Sequence, residues 1–121
     1  MTSFPIETLK FDDNGLVPAI VQDSSNQTVL MLGFMNRASL LRTVNEGKVC
    51  FWSRSRQKFW IKGETSGHFQ KVKDIAFDCD GDTLLIQVEQ TGAACHENYQ
   101  SCFFRSVEGD GFRITEPKLS D

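Results

Sequence analysis

The chain has 121 residues, enough for one domain and too few for two comfortable ones. Its 40% apolar and 24% charged residues exclude a disordered chain, and a net charge of −3 leaves no excess of basic residues for a nucleic-acid face. The longest apolar run, residues 29–35, is too short to span a membrane. Met1-Thr2-Ser3-Phe4-Pro5 has neither the basic start nor the apolar stretch of a secretion signal, so a cytoplasmic location is expected. In that reducing setting the four cysteines are expected as ligands or core residues rather than disulfides.

Taken in order, residues 19–23 and 28–35 read as two strands joined by the polar turn 24–27. Asn36 suits a helix N-cap. Leu40, Leu41 and Val44 then recur at helical spacing, and Gly47 suits the stop. Residues 49–53 and 59–62 read as strands around a basic turn, and 63–67 as a loop. Residues 72–80 and 83–90 form a further expected hairpin turning at Asp80-Gly81. Residues 101–107 and 112–114 read as two last strands. The expected class is α+β: mostly antiparallel hairpins with one main helix.

The chemistry concentrates late in the chain. Asp78, Asp80 and Asp82 surround Cys79, and Cys95, His96 and Cys102 follow. Hard carboxylates suit magnesium or calcium, whereas thiolates suit zinc. Three thiols leave a fourth zinc position open, as in a catalytic site. If the strand runs through residue 80, Asp78 and Asp80 face one way and Cys79 the other, beside Ile75 and Phe77. Asp82 can fold back across the turn. A solvated acidic turn explains the three carboxylates as well as a cation does. The EF-hand alternative fails because its required glycine is Thr83 and its flanks read as strands. With Cys79 pointing away from the carboxylates, one copy of the chain is not expected to join it to Cys95 and Cys102, and a thiol donated across a dimer would. Cys50, between Val49 and Phe51, reads as core. The deaminase signature and the Cys-x-x-Cys knuckle are absent.

Phe51-Trp52-Ser53-Arg54-Ser55-Arg56 joins aromatic faces to guanidinium groups, which suits a phosphorylated, base-containing ligand. Lys62 to His68 adds hydroxyls and glycine-freed amides, a candidate anion nest. Substrate-binding candidates are therefore Trp52, Arg54, Arg56, Lys62, Thr65 and Ser66. His96, beside a thiol and of the residue type best suited to proton transfer, is the candidate proton shuttle or an orienting group for Cys95.

Read together, segments 16–23, 35–37, 51–56, 62–67, 78–83, 94–96 and 101–105 resemble the phosphoribosyl-AMP cyclohydrolase family of histidine biosynthesis. His68, where that family usually has Asn, and Glu97-Asn98, where Thr-Gly is commoner, depart from its pattern. The resemblance implies hydrolytic opening of the adenine ring at N1–C6 of phosphoribosyl-AMP, giving the formimino-aminoimidazole-carboxamide ribonucleotide. It implies an intertwined, barrel-like homodimer with zinc on Cys95 and Cys102 of one chain and Cys79 of the other, and magnesium on Asp78, Asp80 and Asp82. Residues 1–121 are expected to hold that one domain with no fused pyrophosphohydrolase. Two alternatives carry different outcomes: a non-enzymatic zinc-stapled dimer, and a zinc deaminase of purine nucleotides, which would release ammonia.

Overall fold

The computed structural model describes residues 4–120, so the reading of Met1 to Ser3 lies outside the described residues. The first hairpin forms as its alternation predicts. β1 (Leu16–Asp23) pairs antiparallel with β2 (Val29–Asn36), from Leu16 opposite Asn36 to Gln22 opposite Val29. Helix α1 (Arg37–Glu46) starts at a reciprocal cap. The Asn36 side chain accepts from the Ser39 N–H at 2.8 Å, and the Ser39 hydroxyl accepts from the Asn36 N–H at 3.0 Å. Gly47 ends the helix at φ 74°, the left-handed conformation that suits glycine.

β3 (Cys50–Ser53) and β4 (Lys58–Ile61) form a two-stranded ribbon, β5 (Gln70–Phe77) and β6 (Leu84–Gln90) a hairpin, and β7 (Arg105–Glu108) and β8 (Gly111–Ile114) a last ribbon. The main sheet runs β2-β1-β6-β5, with β1 and β6 parallel and its other pairs antiparallel. The α+β class, with one α-helix among the described residues, is as expected, but the barrel-like closure is not. Four strands are too few to curl into a ring, and the other four are spent on separate ribbons. The β5–β6 strands are also shorter than expected. β5 stops at Phe77, so the Asp80-Gly81 turn widens into a loop closed by the Asp78 N–H donating to the Thr83 carbonyl at 3.0 Å. No helix of the described residues is long and apolar enough to cross a membrane.

Val17, Ala19 and Val21 of β1 and Leu84, Ile86 and Val88 of β6 point to one face and pack with Leu40, Val49 and Phe51. Thr43 ties the helix to β3: its buried hydroxyl donates to the Ser39 carbonyl at 2.9 Å and accepts from the Cys50 N–H at 2.9 Å. Thr43→Val keeps the shape but orphans that amide, so it should cost about 1–3 kcal/mol. A urea midpoint equal to that of the parent would refute this tie. Gly33 has a different duty. A Cβ there would stand 2.5 Å from the Phe51 ring, so only glycine lets β2 pack on β3.

The opposite face of the sheet carries one uncovered apolar row beside polar ones. Leu32, Ile20, Leu85 and Ala76 lie in register across the four strands, with Leu32 and Leu85 exposed. Val107, Phe112 and Ile114 of the β7–β8 ribbon are exposed as well.

Candidate active site

The loop after β6 brings two thiols together. The Cys95 N–H donates to the Tyr99 carbonyl at 3.1 Å, and the Asn98 N–H returns to the Cys95 carbonyl at 3.0 Å, a tight turn around the thiol. The Glu97 N–H points at the Cys95 sulfur, 3.4 Å away. Further on, the Ser101 hydroxyl donates to the Val29 carbonyl at 2.6 Å and the Cys102 N–H to the Leu30 carbonyl at 2.7 Å. These bonds pin the loop to the start of β2. Tyr99 and Phe104, stacked 3.7 Å apart, fill the space beneath.

Cys95 is buried, and Cys102 is exposed as a residue. Burial, reinforced by the neighbouring Cys95 thiol, pushes the Cys102 thiol up to about 11. Lys62 is buried beside both sulfurs. Burial pulls the Lys62 ammonium below its ordinary value, against the attraction of the two thiols. An ammonium next to paired thiols favours their ionised, metal-binding form.

The carboxylates lie elsewhere. Oxygens of Asp78, Asp80 and Asp82 come within 4.8 Å of one another. The Asp82 N–H donates to the Asp78 carboxylate at 3.1 Å, and the Gly81 N–H to the Asp78 carbonyl at 3.0 Å. Loss of water raises the Asp78 pKa, but hydrogen bonds from the turn outweigh this and hold it below the usual carboxylate value. The Lys10 N–H donates to the Gly81 carbonyl at 2.7 Å, fastening the N-terminal segment to the turn. Because β5 ends at Phe77, strand alternation does not set the direction of Cys79, which is exposed on the loop.

Sheet register separates the two sets. The thiol loop leaves β6 at Gln90, the end where Asp23 sits opposite Val88. The acidic loop lies before Leu84, opposite Ala19 and Phe77. The seven residues of β6 separate them by roughly 20 Å. Among the described residues, one copy of the chain does not gather Cys79 with Cys95 and Cys102 into one cluster.

The substrate-binding candidates divide among three adjoining clefts. Trp52 and Arg54 line one of about 600 Å³, where the Arg54 guanidinium lies 3.9 Å from the Phe34 ring centre. Arg56, Thr65 and His96 line a second of about 620 Å³. Lys62, Thr65, Ser66, Cys95 and His96 meet in a third of about 250 Å³, which joins the nest loop to the thiol loop. His68 lines it too, its ring laid against Gly92, where a Cβ would come within 2.6 Å. Sequence reasoning missed Trp60, which lines all three clefts. The alternation Lys58-Phe59-Trp60-Ile61-Lys62 was the available signal, since it sets Trp60 on the face of its two lysines.

A small α+β chain that gathers paired thiols, a lysine and a histidine around open, hydroxyl-lined clefts has the equipment of an enzyme, and its acidic turn has the donors for a metal ion. The chain belongs to the phosphoribosyl-AMP cyclohydrolase family, whose model matches residues 31–104, a stretch that includes the acidic turn, Cys95, Cys102 and every residue named in the clefts. It is similar to the phosphoribosyl-AMP cyclohydrolase of Prosthecochloris aestuarii, 62% identical over 105 residues, which span 87% of this chain and 77% of that one. The Chlorobaculum tepidum protein of the same name is 55% identical over 117 residues, 96% of this chain and 85% of the relative. That of Pelotomaculum thermopropionicum is 56% identical over 108 residues, 89% and 84% of the two chains.

Proposed function

We propose that this chain hydrolyses the N1–C6 bond of the adenine ring in phosphoribosyl-AMP, giving the formimino-aminoimidazole-carboxamide ribonucleotide of histidine biosynthesis. It acts as a cytoplasmic, single-domain homodimer with a zinc site shared between copies. The observation that carries the reading is the small cleft where Cys95, His96 and Lys62 meet, in a chain of this family.

The donor sets fit both metals. Cys95 and Cys102 stand side by side with an N–H aimed at one sulfur, which suits a soft, thiolate-bound ion such as zinc. The carboxylate cluster of Asp78, Asp80 and Asp82 suits a hard ion such as magnesium. When bound, zinc supplies Lewis acidity toward water and magnesium offsets phosphate charge. Cys79 is the third zinc ligand and comes from the partner, because it lies at the far end of the sheet from the other two thiols. The uncovered row of Leu32, Ile20, Leu85 and Ala76 supports a dimer as well, since a second layer would take this apolar strip out of water.

In the reaction the oxygen of water joins C6 and becomes the carboxamide carbonyl, while N1 leaves with a proton. His96 lines the cleft beside Cys95 and delivers that proton. The Lys62 ammonium opposes the burial that disfavours ionisation of the Cys102 thiol. Arg54, Arg56, Thr65 and Ser66 hold phosphate and ribose groups at the cleft margins. Trp52 walls the outer cleft.

The test is the metal-loaded protein with phosphoribosyl-AMP, followed by ultraviolet absorbance and an ammonia assay. Ring opening without ammonia is expected. Ammonia release would make the chain a deaminase, and inertness of a folded, metal-loaded dimer would overturn the proposal.

A further inference from the structure

We infer that Trp60 is the platform on which the purine ring stacks, an assignment that rests on the phosphoribosyl-AMP reading above. The first argument is position. Trp60 is the shared wall of the three clefts, so a ring laid on it reaches Arg54 and Ser55 on one side, Arg56 and Lys58 on another, and the Cys95–His96 corner on the third. Phosphoribosyl-AMP carries a phosphorylated ribose on each side of its flat ring. It therefore needs an aromatic surface with cationic groups at more than one margin and the reacting groups close by.

The second argument is preorganisation. Trp60 leans on Phe51, ring centres 5.3 Å apart and planes tilted by 38°. Phe51 is 1% exposed and is seated against Gly33, where no side chain fits. Trp60 itself is 41% exposed. A large ring with a rigid backing and an open side accepts a second ring without reordering itself. Trp52 stands differently. Its ring meets Phe59 edge-on at 77°, and both belong to the cross-strand pair next to that of Phe51 and Trp60, so they point to the other face of the ribbon.

The third argument is spacing. Lys58 lies on the face of Trp60, about 6.6 Å back along β4, and Lys62 follows just past the end of the strand at Ile61. The Lys62 end turns into the thiol corner, whereas the Lys58 end opens to the wide cleft with Arg56. A stacked purine is thereby directed with its reacting edge to the thiols and a phosphate outward.

The chain has two tryptophans, which makes the test direct. In metal-loaded Trp52→Phe, added AMP should quench the emission of Trp60. In Trp60→Phe, AMP should leave the emission of Trp52 unchanged. Trp60→Leu should raise KM for phosphoribosyl-AMP by between about 5-fold and about 150-fold with kcat little changed, the span of one base–aromatic stack. Trp60→Phe should recover most of that loss, which a merely structural role would not predict. Quenching carried by Trp52, or a parental KM in Trp60→Leu, would overturn the assignment. Should Trp60→Leu fail to fold, the two Phe variants decide the question. Turnover by the parent in the same assay separates the two readings: its absence counts against ring opening, whereas the AMP quench tests stacking by itself.

Discussion

Replacing Cys95 by serine is expected to remove phosphoribosyl-AMP turnover by about 1,000-fold or more and to strip the zinc, while the protein stays folded. The fold survives because serine is nearly isosteric and the turn is held by backbone bonds to Tyr99 and Asn98. The Glu97 N–H still finds an acceptor in the serine oxygen. Chemistry is lost because a hydroxyl is a poor ligand for a soft metal. Cys50→Ser is the contrasting control. Cys50 is 1% exposed, with its sulfur 3.9 Å from the Phe51 carbonyl and away from the clefts, so the cost there falls on stability rather than turnover. Zinc analysis, circular dichroism and a ring-opening assay on both variants check the pair. A Cys95→Ser protein with parental turnover would remove the thiol pair from the mechanism.

The second large effect is expected at the acidic turn. Asp80→Asn should lower kcat/KM by about 100-fold at fixed magnesium, raise the magnesium needed for half-maximal rate, and leave zinc content unchanged. Asp80 is the cleaner probe because the Asp78 carboxylate also holds the turn through the Asp82 N–H. Three carboxylates within 4.8 Å repel one another, so the free turn is poised to gain from a divalent ion. A magnesium titration of parent and variant gives the answer, and identical curves would leave the cluster a solvated turn.

Local signals made much of this fold legible. Asn36, Ser39 and Gly47 set both ends of α1 by bonds within a few residues, and alternation set β1 and β2. The end of β5 was not legible. The alternating pattern continues through Cys79, but the chain leaves the strand at Phe77, where the Asp78 carboxylate takes a turn amide and the distant Lys10 segment grips Gly81. Such long-range bonds leave no periodicity. Sequence named Trp52 and passed over Trp60, whose backing depends on Phe51 meeting Gly33, eighteen residues away. Of the groups that line the small cleft, Lys62, Thr65, Ser66, Cys95 and His96 were named from sequence as site residues and Trp60 was not. Their separation from Asp78 to Asp82 follows from β6, whose seven residues run between the acidic loop and the thiol loop.

That separation makes a mixed dimer the most direct measurement. Cys79→Ser and Cys95→Ser chains, carrying different tags, are co-expressed and the heterodimer is purified by both tags. In a shared site, one of its two centres combines the intact Cys95 and Cys102 of one chain with the intact Cys79 of the other, and the second centre lacks both replaced thiols. The account predicts that each variant homodimer is inactive and that the heterodimer opens the ring of phosphoribosyl-AMP at about half the rate of the unsubstituted protein, without ammonia. A heterodimer as inactive as its parents, or a Cys79→Ser homodimer with full activity, would contradict it.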